Sequence, residues 1–507
     1  MRKWLPLTAV SLGTFMLLVD VTIVTVALPD MAGALHTGFT DLQWVLDIYA
    51  LALAALLLGA GAVADRFGRR RIYVGGLVLF AAASLACGLA ANGGQLILFR
   101  GVQGIGGAAM FATTMALLNT SYQGRDRGIA FGVWGAVSGA AAAAGPVVGG
   151  LLTEHLGWRW IFFINLPISV LAVLVTVRAL RESRDPQAKG IDLPGLVTFT
   201  VAAGALTFAL IRGAAEGWGS APTLGLFALG AVALLGFVAV QLRSSKPMFD
   251  LSLLRNPGFT GVLAGALLLS AAAFSYLVYT SVWLQSVRGL GPVAAGLALV
   301  PMSVVAFVVS AVVGRRLHTA SPRLTVGFGL LLVGSGALLL MLIGPGSSWP
   351  VLLPGLAVTG AGVGLATPAM AAAAMAAVPQ RRSGMAGGAL NTARQLGNAL
   401  GIAVLGAVFQ SGLEHRLRDG ALPDAKGVAD ALAGGQADLV IGSAAPDRQA
   451  DLAELVHQAF ADGLRDSFLV SGVLGLLGAA LVFTMVGRRR SAAAAPEAEP
   501  VREPVSA

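Results

Sequence analysis

Two ionisable side chains lie deep inside runs of apolar residues: Asp20, in the run from Leu5 to Leu28, and Arg100, about five residues into the run 95–118. A carboxylate at the middle of a membrane span costs about 2.5–3.5 kcal/mol on insertion scales, and a buried arginine must find a partner. At 1.5 Å per residue, Asp20 lies about 13 Å and Arg100 about 8 Å below the same end of their spans, so their depths allow them to meet. The chemistry open to them is proton binding and release; a helix-packing aspartate and a static ion pair are the plainer alternatives. Asp47 and Asp65 are about 27 Å apart at one helical angle and mark the two ends of the second run. Asp47 is therefore expected near the outer interface, as a candidate proton relay.

Other residue groups could meet a ligand. At 100° per residue Asp20 shares a stripe with Gly13, Met16, Leu17, Val24 and Ala27, an apolar, methionine-containing frame suited to a lipophilic cation. Asn391, Arg394, Gln395 and Asn398 have the i, i+3, i+4, i+7 spacing of one helical face. Four polar groups facing lipid would be unsupported, so that face looks into the protein or a wet cavity, as a substrate surface or as a polar lock. Tyr276, Tyr279 and Trp283 also share a face. Desolvated aromatic rings attract cations, and an interfacial belt is the competing role, preferred here for Trp283.

The elements that must position these groups are membrane spans. The chain has 507 residues, 56% hydrophobic and 12% charged, where soluble domains carry about 25% charged. Fourteen apolar runs long enough to cross a bilayer fall at 6–29, 43–64, 72–92, 95–118, 129–153, 160–179, 193–212, 222–241, 258–284, 293–313, 324–343, 350–376, 384–411 and 465–486. The first is read as an uncleaved span, being too long for a signal peptide and containing Asp20. Of the 34 lysines and arginines, 24 lie on the side of the N-terminus and 8 on the other, which places both termini in the cytoplasm. The net charge of +9 is no nucleic-acid signature, because it sits in short clusters at span ends. Residues 412–464 are expected to form an external helical cap, and the Ala-, Pro- and Glu-rich tail after Arg490 to be disordered. Cys87 is the lone cysteine, so no disulfide or thiolate metal site exists. No His/Cys/carboxylate cluster has metal spacing, and no nucleophile-elbow or Walker glycine pattern appears. These features argue against an enzyme and against a metal or other cofactor.

The turn Gly61-Ala-Val-Ala-Asp65-Arg66-Phe-Gly68-Arg69-Arg70-Arg71 resembles the loop between helices 2 and 3 of the major facilitator superfamily, G-x-L-A-D-R-x-G-R-R/K, with Val63 in place of leucine. Asp20-Val-Thr-Ile-Val-Thr-Val-Ala-Leu-Pro29 is similar to the first-helix motif of the fourteen-helix drug:proton antiporters. Arg100-Gly-Val-Gln-Gly104-Ile-Gly-Gly-Ala108 resembles the superfamily's R-x-x-Q-G-x-G-A pattern. Gly139, Gly145-Pro146, Gly149 and Gly150 match the G-x₅-G-P-x₂-G-G element typical of antiporters; without the family it means close packing with a hinge. Asn391-Thr-Ala-Arg-Gln-Leu-Gly397 recurs in the same branch.

The resemblance implies an all-α major facilitator fold: a six-helix bundle over 1–182, a two-helix insertion over 183–256 and a second six-helix bundle over 257–490, with 491–507 as a cytoplasmic tail. It further implies proton handling by Asp20 and Arg100, to which the depth reading adds Asp47. Gly61, Asp65, Arg66, Gly68, Arg69 and Arg70 would form a conformational switch, and Met16, Tyr276, Tyr279, Asn391, Arg394, Gln395 and Asn398 a substrate cavity. The expected activity is antiport: a drug or antibiotic leaves as protons enter, with H⁺ the coupling ion. The expected setting is a bacterial inner membrane, as a monomer, with no nucleic-acid partner. A dedicated exporter of one metabolite stays open because spans 9–13 hold no carboxylate. A non-transporting sensor is a third possibility.

Overall fold

The structure is a computed structural model that describes residues 2–184, 192–245, 247–316, 321–378 and 383–487. Among the described residues every regular element is helical. In chain order they are α1 (Leu5–Ile23), α2 (Leu28–Leu35), α3 (Phe39–Phe67), α4 (Arg69–Gly88), α5 (Gly93–Ser121), α6 (Gly124–Leu156), α7 (Trp160–Phe163), α8 (Asn165–Ala179), α9 (Leu193–Glu216) and α10 (Ala221–Arg243). There follow α11 (Pro257–Phe274), α12 (Tyr276–Ser286), α13 (Pro292–Arg316), α14 (Pro322–Leu340), α15 (Leu353–Ala376), α16 (Ser383–Asp419), α17 (Ala425–Ala433), α18 (Ala437–Gly442) and α19 (Gln449–Met485). Thirteen segments among the described residues are long and apolar enough to cross a membrane. The 33-residue α6 stands where the remaining expected span, 129–153, falls.

Helices α1–α8 form one six-span bundle and α11–α19 the other, with α9 and α10 packed on each other between them in sequence; α9 also leans on α3 and α16. The outward surfaces carry bare apolar side chains, such as Leu235 at 69% and Leu242 at 71% exposure. Such a surface would drive aggregation in water and suits lipid.

Two of the spans are broken. Pro167 has no N–H and its ring crowds the carbonyl of Phe163, so α7 stops there and α8 restarts at Asn165. Span nine breaks at Ser275, between α11 and α12. The segment expected to be external is shorter than 412–464. Helix α16 continues to Asp419 and α19 starts at Gln449, so the cap proper is 420–448, holding α17 and α18. Residues 317–320, between α13 and α14, lie outside the described residues, as does the tail from 488.

The bundles meet along a seam of α6 against α13 and α3 against α16. Without a hydrophobic drive between helices in lipid, such contacts depend on close packing, and here the glycines supply it. A Cβ on Gly149 would stand 2.7 Å from the Ile23 carbonyl oxygen, and one on Gly150 2.5 Å from that of Pro292, so α6 is wedged between α1 and α13. Among the described residues, the polar links across the seam are at the end bearing α17. Gln285 Nε2 donates to the Val26 carbonyl (3.0 Å), and Val293 N donates to Glu154 (3.2 Å). That end is closed.

Candidate functional site

Asp20 and Arg100 meet. Arg100 Nη1 is 2.6 Å from Asp20 Oδ2, with the two side chains 1% and 0% exposed. Helix α5, capped at its start by the Asn92 side chain accepting from Gln95 N, carries both Arg100 and, three residues on, Gln103. Arg100 Nη1 also donates to Gln103 Oε1 (2.7 Å) and its Nε to the Val45 carbonyl (3.1 Å). Its guanidinium lies 4.1 Å from the Tyr49 ring centroid. Gln103 Nε2 and Asn165 Nδ2 each donate to Asp20 Oδ1 at 2.9 Å, and both also reach Ser84 Oγ. The break between α7 and α8 is what aims Asn165 at Asp20.

The apolar, ligand-framing stripe expected around Asp20 is therefore corrected: the carboxylate is enclosed by a charge partner and two amides. Met16 is 1% exposed and its Sδ accepts from Ser169 Oγ (3.1 Å), packed inside the first bundle. Cys87 is buried with Sγ 3.8 Å from Gln103 Oε1. Breaking a buried pair of this kind by removing one member costs about 3–5 kcal/mol.

Asp47 is a second correction. Its expected low cost does not hold: it is 0% exposed within the protein, and neither carboxylate oxygen has a hydrogen-bond partner among the described residues. One turn away on α3, Gln43 crowds Gly406 of α16 together with the Tyr279 hydroxyl, so Asp47 lies at the seam.

The tyrosines belong to the closure. Tyr276 and Tyr279 are 0% exposed. Tyr279 Oη donates to the Ile402 carbonyl (2.6 Å) and its ring stacks on Phe409 at 5.1 Å; Tyr276 meets Phe468 edge-on at 5.4 Å. Trp283, expected at the membrane interface, is 1% exposed in the core. Asn391, Arg394, Gln395 and Asn398 are half-buried, whereas Ile402, Leu405 and Phe409, farther along that face of α16, are buried. The face thus closes toward the α17 end and opens toward the 66–71 end.

At that second end, Asp65 pairs with Arg69 (2.8 Å) and Gly68 turns the chain at φ +116°. Glu182 caps α4, accepting from Arg70 N (3.1 Å) and Arg71 N (3.2 Å); a Cβ on Gly68 would strike its carboxylate. Gly61 has open space around its Cα, and Arg66 lies over Phe67. Gly145 packs against Thr22 of α1; Gly139 lies within α6, and the carbonyl of Pro146 abuts Gly296 of α13. Helix α6 runs through Pro146 unbroken.

Beside α17 a cavity of about 240 Å³ is lined by Thr40, Gln410, Asp424, Lys426, Gly427 and Asp430. Burial pushes Asp430 above the usual carboxylate range; Lys426 opposes this and Asp41 adds to it. The Ser286 hydroxyl donates to Gly435 O (3.0 Å), and Gly435 rests on Pro29, so the cap touches both bundles.

Sequence reasoning missed Asn165, Ser84, Glu154 and Glu182, and quoted Gln103 without a role. Asn165 carried a signal, a lone amide two residues before a proline in an apolar run. Glu154 and Glu182 are ordinary carboxylates at span ends, recognisable only once a helix N-terminus is beside them.

Two six-span bundles, a glycine-packed seam and a buried ion pair define a membrane transporter fold. The chain belongs to the Major Facilitator Superfamily, which it matches over residues 10–402. It is 37% identical over 424 residues to multidrug resistance protein Stp of Mycobacterium tuberculosis (strain CDC 1551 / Oshkosh), covering 83% of this chain and 79% of the relative. It is 33% identical over 503 residues to the tetracenomycin C resistance and export protein of Streptomyces glaucescens, covering 95% and 91%. Among solved structures it resembles a bacterial homologue of the human lysosomal transporter Spinster, inward-facing and occupied. There the TM-score is 0.61 at 19% identity, over 94% of this chain and 96% of that one. It also resembles the peptide transporter POT in complex with sulfate, with TM-score 0.62 at 15% identity over 95% and 96%.

Proposed function

We propose that this protein is a proton-driven antiporter that exports amphipathic, often cationic drugs or antibiotics across a bacterial inner membrane. The observation that carries the reading is the Asp20–Arg100 pair, 0% and 1% exposed within the first bundle. An ion pair that deep is a functional site by default, and a proton is the one ligand small enough to separate it in place. Relatives named for multidrug resistance and for resistance to single antibiotics supply the substrate class.

Both termini lie in the cytoplasm on this reading, so the end closed around α17 is the outer one and the described state opens inward. Protonation of Asp20 frees Arg100 from its counter-charge. The rearrangement is transmitted through α1 and α5, the bundles rock about the α6–α13 seam, and proton and drug occupy the protein alternately. Asp47 takes part as a second proton site at the seam, and the Asp65–Arg69 turn as the cytoplasmic switch. The half-open face of α16 contacts the substrate.

One observation favours a second reading, a dedicated exporter of a neutral or anionic metabolite. Arg394 puts a positive charge on that face, and no carboxylate lies in spans 9–13 to offset it. The experiment is efflux of a fluorescent lipophilic cation from energised cells making wild type or Asp20→Asn at matched amounts. Uncoupler-sensitive efflux that is lost in the variant supports the proposal. Efflux surviving the substitution moves the coupling to Asp47, Asp65 or Arg100, and efflux by neither protein favours the dedicated exporter.

A further inference from the structure

Asp20 is surrounded by donors: Arg100 Nη1 at 2.6 Å, Gln103 Nε2 at 2.9 Å and Asn165 Nδ2 at 2.9 Å. That suits a carboxylate, which only accepts. A carboxylic acid carries an O–H and needs an acceptor. Arg100 has no acceptor atom. The Gln103 carbonyl is held by Arg100 Nη1 at 2.7 Å, and the Ser84 hydroxyl donates to the Phe162 carbonyl at 2.9 Å while it accepts from both amides. Asn165 is 2% exposed and is tied to the network through its Nδ2 alone.

From this geometry we infer that Asn165 is the amide that follows the protonation of Asp20: its carboxamide turns by half a rotation and presents Oδ1 to the new O–H. The proton resides on Asp20 Oδ1 and is donated to Asn165 Oδ1. Ser84 keeps the bond from Gln103, and Arg100 retains its charge without its counter-ion. Asn165 thereby acts as a positioning residue for both protonation states. The groups facing Asp20 are Arg100 and Gln103 from α5, Ser84 and the thiol of Cys87 from α4, Tyr49 from α3 and Asn165 from α8. Arg100 is the charged one among them.

The inference rests on Asp20 being the proton site, and the test separates the two. The infrared stretch of the protonated Asp20 carboxyl is identified in purified protein as the band missing in Asp20→Asn, then followed against pH. In Asn165→Leu the protonated carboxyl loses the acceptor that the turned amide supplies, so the acid band should move to the higher frequency of a carboxyl with no acceptor. Asn165→Gln and Asn165→Ser, which can both donate and accept, should restore the frequency. An unchanged frequency in Asn165→Leu, whatever happens to its thermal stability, would make Asn165 a packing residue and overturn the inference. Absence of any titrating Asp20 band in wild type would overturn the proton-site reading with it.

Discussion

Asp20 and Asp47 are carboxylates in neighbouring spans of one bundle, and both are 0% exposed. Asp20 has a guanidinium and two amides; Asp47 has no hydrogen-bond partner for either oxygen among the described residues. Burial is the same and the surroundings are opposite. The difference tracks position: Asp20 faces the interior of its own bundle, where α1, α4, α5 and α8 converge, and Asp47 faces a seam that must part during transport. Partners within one rigid bundle can be permanent, and partners across a moving interface cannot. On the proposed function, Asp20 holds charge until a proton arrives, and Asp47 is covered and uncovered as the seam closes and parts.

The largest expected effect tests the first half of that contrast. Arg100→Leu should destabilise the purified protein by about 3–5 kcal/mol, read from thermal unfolding in detergent, because it strands Asp20. Adding Asp20→Leu should recover much of the loss; a double variant as unstable as the sum would deny that the two act as a pair. Next is the seam. Gly150→Val should cost the closed state about 1–3 kcal/mol by overpacking against Pro292. Distances between spin labels on the two bundles at the α17 end should then lengthen, uncovering Asp47 and leaving the Asp20 network intact.

Glu182→Ala should remove the cap on α4 at about 0.5–2 kcal/mol, seen as faster hydrogen exchange at Arg70 and Arg71. Asp47→Asn should change unfolding stability by less than about 1 kcal/mol, since no bond is lost. A penalty as large as that of Arg100→Leu would erase the distinction between the two aspartates.

The smallest effect belongs to Asp430, a half-buried carboxyl with Lys426 nearby. Its folded-state pKa is raised by burial, so its contribution favours the folded cap below the ordinary carboxylate pKa and fades as pH rises through the raised value. Exchange protection of α17 should therefore weaken from acid toward neutral pH, and Asp430→Asn should flatten that dependence.

The spans, their number and the turn at 61–71 were legible because length, hydropathy and glycine spacing are local properties. The Asp20–Arg100 pairing was legible as a matching of depths. What the sequence left open was rotation about each helix axis. Asp47 and Trp283 were placed by depth at an interface, and the structure turns both into the protein. The partners of Asp20 depended on a helix break that Pro167 announces, but its consequence is three-dimensional, aiming an amide 145 residues away in sequence at the carboxylate. The tyrosines were read as a ligand-facing surface; in the closed state that surface is spent on Phe409 and Phe468.

The central claim is that Asp20 carries the coupling proton. Reconstituted protein in liposomes, with a pH-sensitive dye inside and a gradient of tetraphenylphosphonium imposed, tests it directly. The account predicts counter-movement of protons by wild type and none by Asp20→Asn at equal amounts of folded protein. Proton movement in Asp20→Asn equal to that of wild type would contradict it.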